Sequence, residues 1–166
     1  ALLTLRAEAV PTGAVDVDPA ATLSISQPAV PGTLQTLRLP VTTADTEVQY
    51  LKAANWAEQP SKLFQRLLGD VAAARGIAVI DSRQSDVTGA RKLTGTLREF
   101  GLDVRAAPVV RVRYEAMLTS RDGRLLAMRR FEASEAVAAQ TPSEVGAALN
   151  VAANKVAGEV AGWVAR

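Results

Sequence analysis

The chain has 166 residues, 48% hydrophobic and 22% charged, with no Cys, no His, and 19 Lys+Arg against 17 Asp+Glu for a formal net charge of +2. That is the size and composition of one globular domain, spanning residues 1–166. The missing residue types exclude disulfides, Cys/His zinc centres, thiol nucleophiles and His-based triads, and the near-balanced charge leaves no basic footprint for nucleic acid.

Leu2 to Arg6 reads as a short strand. Residues 7–33, with Pro11, Pro19, Pro28, Pro31, Gly13 and Gly32, read as a Pro-rich irregular excursion holding a short strand at Leu23–Ser26. Leu34–Leu39 follows as a strand that stops at Pro40, and Glu47–Tyr50 as another extended piece. Ala54–Gln59 is expected as a loop before a helix from Pro60 to Arg75. Leu63, Phe64, Leu67, Leu68 and Val71 share one face of that helix, and Gly76 closes it.

Ile77–Ile80 is expected as a buried apolar strand, Asp81–Arg91 as a loop and Leu93–Val104 as a strand. Val110, Val112, Tyr114, Ala116 and Leu118 alternate with Arg111, Arg113, Glu115, Met117 and Thr119, the period of a half-buried strand. Ser120-Arg121-Asp122-Gly123 supplies the hairpin turn and Leu125–Ser134 the partner strand. Thr141-Pro142-Ser143-Glu144 is a capping box with Pro at the first helical position. The stripe Val145, Leu149, Ala152, Val156, Val160 and Trp163 continues that helix, interrupted by Asn150, Asn154, Lys155 and Glu159 too often for a membrane span. The expected fold class is α/β of the α+β kind: a mixed, largely antiparallel sheet with two main amphipathic helices.

Candidate chemistry is sparse. Asp16 and Asp18, and Glu132 and Glu135, lack the cleft a carboxylate pair needs and read as solvated acids. Asp81-Ser82-Arg83, with Ser85 and Asp86, follows an apolar strand, but neither a phosphate loop nor a base for Ser82 accompanies it. Gly89-Ala90-Arg91-Lys92 lacks phosphate-loop spacing. The strand arginines Arg98, Arg105, Arg111, Arg113, Arg121, Arg124, Arg129 and Arg130 could form an RNA-binding face, or pair with Glu99, Glu115 and Glu132 across strands. Gly158 and Gly162 form a G-x-x-x-G pair, suited to close packing on the sheet or to a docking partner. Trp56, with Tyr50 before it, is either folded back over the start of the first helix or exposed as a partner anchor.

Tyr50, then Trp56-Ala57-Glu58 with Pro60 opening a helix, resembles the ABC-type transport auxiliary lipoproteins, the PqiC-like family. Leu34–Val41 upstream, Leu97-Arg98-Glu99-Phe100, the hairpin with Arg130-Phe131 and the closing helix ending at Trp163 fit in order, over about residues 34–166. The resemblance implies a fold similar to anticodon-binding-like domains, no catalysis and no cofactor or metal. It further implies a periplasmic lipoprotein of a Gram-negative bacterium, held in the outer membrane by a lipidated Cys that this chain does not contain. Its partners would be an MCE-domain protein and the permease and ATPase of one lipid-transporting ABC system, with no nucleic acid. Tyr50, Trp56, Glu58, Gly158, Gly162 and Trp163 are the expected partner-contact residues. A homo-oligomer, a lipid bound by the domain itself and the Arg-face RNA reading stay open.

Overall fold

The computed structural model describes residues 1–14, 18, 21–80 and 89–165. Its strands are β1 (Leu2–Leu3), β2 (Leu23–Ile25), β3 (Arg38–Ala44), β4 (Glu47–Trp56), β5 (Val79–Ile80), β6 (Arg91–Asp103), β7 (Val109–Thr119) and β8 (Leu125–Ala136). Helix α1 (Pro60–Ala74) lies between β4 and β5, and α2 (Pro142–Val164) closes the fold. The eight strands form one mixed sheet. Its long ladders, β3–β4, β6–β7 and β7–β8, are antiparallel. The pairings of β1 with β4, β2 with β5, and β6 with both β2 and β3 are short and parallel.

β6 organises the sheet. One edge carries β7 along its length. The other edge is shared: β2 pairs at Arg91–Leu93 and β3 at Leu102–Asp103, so the sheet forks. The fork also fixes two ends. The Ser120–Arg124 turn lies where β6 begins, and the β3–β4 turn, joined by the 3.0 Å Asp45–Arg105 ion pair, lies where β6 finishes. β1 runs parallel to β4 and pairs with it at Asn55 and Trp56, the end of β4 remote from Asp45.

The alternation in β7 sorts its side chains as expected. Val110, Val112, Tyr114, Ala116 and Leu118 are buried, and the residues between them face outward. Both helices cover the buried face: Phe64 of α1 packs on Tyr114 with ring centroids 5.2 Å apart, and Trp163 of α2 meets Phe131 of β8 at 5.6 Å. In α1, Leu63, Phe64, Leu67, Leu68 and Ala72 are buried, Pro60 opens the first turn and Gly76 takes φ 87° just past the end. In α2, Ala152, Ala153, Ala157 and Ala161 are buried beside the larger stripe and let the helix approach closely. Each fully buried Leu or Val contributes about 2 kcal/mol relative to exposure. The cap of α2 is half the expected box. Thr141 Oγ1 accepts the Glu144 N–H at 3.3 Å, but the Glu144 carboxylate accepts from Ala139 N–H at 2.9 Å.

Several expectations are corrected. The Leu34–Leu39 strand is displaced: Gly32–Leu34 is a 3-10 turn, and β3 runs through Pro40 to Ala44. Pairing shifts between Arg38 and Pro40, so the proline falls at an irregularity where a missing N–H is tolerated. Opposite it, β4 is longer than the expected Glu47–Tyr50. Pro40 faces Tyr50 and Arg38 faces Asn55, so Leu51–Ala54 bulge against Leu39 alone, with Ala53 at φ 58°. The second half of the Pro-rich excursion joins the sheet as β2, extended by a bridge from Ala29 to Thr96, and buries Leu23 and Ile25. Ile77–Ile80 is reduced to the half-buried β5 at the outer side of β2. Only Leu2–Leu3 of the first strand is paired as β. Beyond it, Arg6 N–H donates to Asn150 Oδ1 at 2.8 Å and Glu8 N–H to Asn154 Oδ1 at 3.0 Å. The segment therefore docks on α2 through the asparagines that break its apolar stripe.

Candidate functional site

The helix-free face of β6, β7 and β8 is a lattice of ion pairs. Asp103 accepts from Arg105 Nη2 and from Arg111 Nη1, each at 2.8 Å. Arg111 reaches on to Glu132 at 3.1 Å, and Arg113 spans Glu132 at 3.4 Å and Glu99 at 3.2 Å. Glu115 lies between Arg98 and Arg130, the latter at 2.9 Å. Hydrogen bonds from Arg105 and then Arg111 hold the Asp103 carboxyl well below the usual carboxylate range. Arg98, followed by Arg130, lowers Glu115 in the same way. The cross-strand pairing weighed from the sequence is the arrangement found, with Arg105, Arg111, Arg113, Arg98 and Arg130 each facing a carboxylate. Glu135 is paired with Lys155.

Gly158, Gly162 and Trp163 are brought together. They line a surface groove of about 490 Å³ between α2 and β8, with Arg75, Arg129, Lys155 and Glu159 at its walls. The open sides of the two glycines face Arg75 at the end of α1: a Cβ on Gly158 would lie 3.1 Å from Arg75 Nη2, and one on Gly162 3.2 Å from Nη1. The G-x-x-x-G pair thus makes room for a guanidinium rather than for the sheet. Arg129 stacks on Phe131, with Cζ 5.1 Å from the ring centroid.

The other three predicted residues lie apart. Tyr50 is half-buried in β4 under the Arg38 guanidinium, 4.2 Å from its ring centroid. Glu58 chelates Arg66 Nη2 with both oxygens at 2.8 Å and lines a second groove of about 410 Å³ between α1 and β5. In that groove burial raises the Asp70 carboxyl, partly offset by Arg66. Trp56 ends β4 and is 0% exposed, 5.1 Å from Phe100. Of the two readings weighed for Trp56, the exposed anchor is not found: the residue ends β4 rather than standing in a loop, and past the bulge at Leu51–Ala54 it is folded into the core. Its indole N–H and the Tyr114 hydroxyl are buried without a hydrogen-bond partner among the described residues. Burial pushes the Tyr114 hydroxyl well above its ordinary value.

Asp16 and the Asp81, Ser82, Arg83, Ser85 and Asp86 cluster lie outside the described residues. Arg91 of the rejected phosphate-loop stretch caps a helix end: Nη1 donates to Val164 O at 3.0 Å, at the C-terminus of α2. Among the described residues no three His, Cys, Asp or Glu side chains gather as metal ligands. No described helix is long and apolar enough to cross a membrane.

One surface escaped the sequence reading. Leu125, Leu126 and Met128 of β8 are 52%, 46% and 65% exposed, beside Met117 of β7. The signal was present in Leu125-Leu126, two adjacent apolar residues that break strand alternation directly after a turn. Pairing slips there: Leu118 faces Ala127 and Thr119 faces Leu125, leaving Leu126 as the bulged residue.

The model of the family described as ABC-type transport auxiliary lipoprotein component matches residues 3–161. Among solved structures, a Xanthomonas campestris protein of family DUF330 is similar, with TM-score 0.79 and 22% identity over 98% of this chain and 92% of that one. An uncharacterized protein gives 0.79 at 17% identity, over 98% and 97%. A hypothetical protein of Chlamydia trachomatis gives 0.54 at 8% identity, over 87% and 97%. These likenesses are of fold. No curated protein sequence matches the chain.

Proposed function

The chain belongs to the ABC-type transport auxiliary lipoprotein component family, and from that premise we infer that it is a non-catalytic, periplasmic subunit of an MCE-type ABC transporter. It docks on the MCE-domain protein and supports lipid movement between the inner and outer membranes. The observation that carries this reading is the family match from residue 3 to residue 161, nearly the whole of the fold rather than one motif. A lipidated Cys upstream of Ala1 would hold the domain at the outer membrane. The domain then works by contact. Gly158, Gly162 and Trp163, sharing one groove with Arg75, form one contact, and Tyr50 and Glu58 lie on further surfaces. Trp56 supports them from the core.

The test uses the natural precursor with a C-terminal tag. Intact cells are cross-linked, membranes are fractionated, and the N-terminal modification and attached proteins are identified by mass spectrometry. A lipid-modified Cys upstream of Ala1 and a cross-link to the MCE-domain protein are expected. An unlipidated protein with no transporter component attached would overturn the reading.

A further inference from the structure

The sheet ends in three strands, and two of them, β1 and β5, are two residues long. Edges that short are poor templates for another strand. β8 is the exception. It runs 12 residues, pairs with β7 alone among the described residues, and carries neither Pro nor Lys. Its bulge at Leu126 disturbs only the end beside the turn. Val137 N–H donates to Pro108 O at 3.1 Å, which sets the phase of the β7–β8 ladder. The odd-numbered residues of β8 therefore bond to β7. The N–H and C=O of Met128, Arg130, Glu132 and Ser134 point to the open edge, and all four residues are exposed.

The side chains say what fits that edge. Arg130 and Glu132 flank Phe131, each beside its β7 partner, Glu115 and Arg113 respectively. Two antiparallel copies of β8 related by a two-fold axis at Phe131 set Arg130 of each copy opposite Glu132 of the other. Both pairs fall on residues whose backbone groups are free, so each also closes a pair of ladder hydrogen bonds. Moving the axis to Arg129, Arg130 or Glu132 sets like charges opposite each other, so the charges select the register centred on Phe131 over these. The ion-pair lattice of the sheet face then runs on across the axis, from Glu115 and Arg130 of one copy to Glu132 and Arg113 of the other. We propose that β8 is the seam of a two-fold dimer, in which the β8 strands of two copies pair antiparallel about Phe131 and join two sheets into one. A second copy is the occupant because the charges of the edge are complementary to themselves. The backbone ladder supplies the attraction and the charges choose the register. The inference goes beyond the transporter reading and does not depend on it.

The test measures the mass of this chain by light scattering over a concentration series. Ser134→Pro removes an edge N–H and spares the bonds to β7. Arg130→Glu and Glu132→Arg each set like charges across the axis. Mixed together, those two variants restore opposite charges at both pairs, since each copy supplies one sign. Circular dichroism checks the fold of every variant. Wild type is expected at twice the 17.5 kDa of one chain. Each variant alone should self-associate at least tenfold more weakly, and the two charge variants should form a heterodimer when mixed. Mixing could not rescue a variant that had lost its fold. Hydrogen exchange should show the amides of Met128, Arg130, Glu132 and Ser134 protected in the wild-type dimer. A wild type that stays monomeric at its highest soluble concentration overturns the proposal. So does an assembly that all three variants keep, which would place the contact on another surface. Protection of these amides that appears only when the purified extramembrane region of the MCE-domain protein is added to a monomer overturns it in favour of a strand from that partner.

Discussion

Gly95 of β6 lies against the ring of Tyr114 in β7: a Cβ at Gly95 would stand 2.6 Å from Tyr114 Cε1 and 2.4 Å from Glu115 O. The absent side chain lets the tyrosine lie flat across β6 and reach Phe64. Gly95→Ala is therefore expected to destabilise the fold by about 1–3 kcal/mol, because the obstructing atom is backbone and cannot step aside. Gly69→Ala is the contrast. It lies inside α1, where the nearest atom to a new Cβ is Val79 Cγ1 at 3.8 Å, and should stabilise by about 0.5–1 kcal/mol. Urea denaturation of the two variants checks both signs.

Ala53 occupies the left-handed region at φ 58° in the β4 bulge, where its carbonyl accepts from Ala1 N. The side chain costs roughly 1 kcal/mol there. Ala53→Gly should raise the urea midpoint, and Ala53→Val should lower it more than Ala53→Gly raises it. An unchanged midpoint in both would show that the bulge relaxes to a conformation without that penalty.

The Asp103 carboxyl titrates below its unfolded value of about 3.9. The stability it lends is complete above that unfolded value and is lost as pH falls through the lower, folded one. Asp103→Asn should thus be less stable than wild type at pH 7, and the gap should persist down to about pH 4 and close below it. Thermal unfolding of both proteins across that range reads the gap directly.

Asn154 is buried in α2. Its amide accepts from Glu8 N–H at 3.0 Å and donates to Arg6 O and Asn150 O, each at 2.9 Å. Asn154→Ala removes these bonds and leaves the Glu8 N–H without its partner, a loss of about 1–3 kcal/mol. Limited proteolysis should cut first near Arg6 in this variant and not in Asn150→Ala. Equal cutting in both would show that Asn150 and Asn154 share the anchoring equally.

Much of the fold was legible where one period ran uninterrupted. The β7 alternation, the Asp122-Gly123 turn, the Thr141 cap and the apolar face of α1 each impose one local geometry, and each is realised. What was hidden is pairing between distant segments. Nothing local tells Pro40 that its strand continues, because tolerance comes from the irregular register against β4. Nothing local turns Trp56 inward, because that follows from four bulged residues opposite Leu39. Of the predicted contact residues, only Gly158, Gly162 and Trp163 converge, since one helix sets their spacing. Tyr50 and Glu58, close in sequence, are separated by the bulge and the start of α1. The exposed Leu125-Leu126 pair was readable as a break in alternation, but its exposure follows from the slipped pairing with β7.

The forked edge of β6 also orders the events by which the chain finds this structure. β6, β7, β8 and α2 are consecutive, and each ladder among them closes over a short loop. β2 and β3 reach β6 only through pairings such as Leu23 with Arg91 and Val41 with Leu102, which close long loops. The C-terminal half can therefore fold as a nucleus whose bare β6 edge is a template. The N-terminal segments add to it as two independent arrivals, one at each tine. Pulsed hydrogen exchange during refolding should protect the amides of β7 and β8 before those of β2 and β3, and the last protection to appear should be that of Ser26 N–H on Leu93 O and Val104 N–H on Thr42 O.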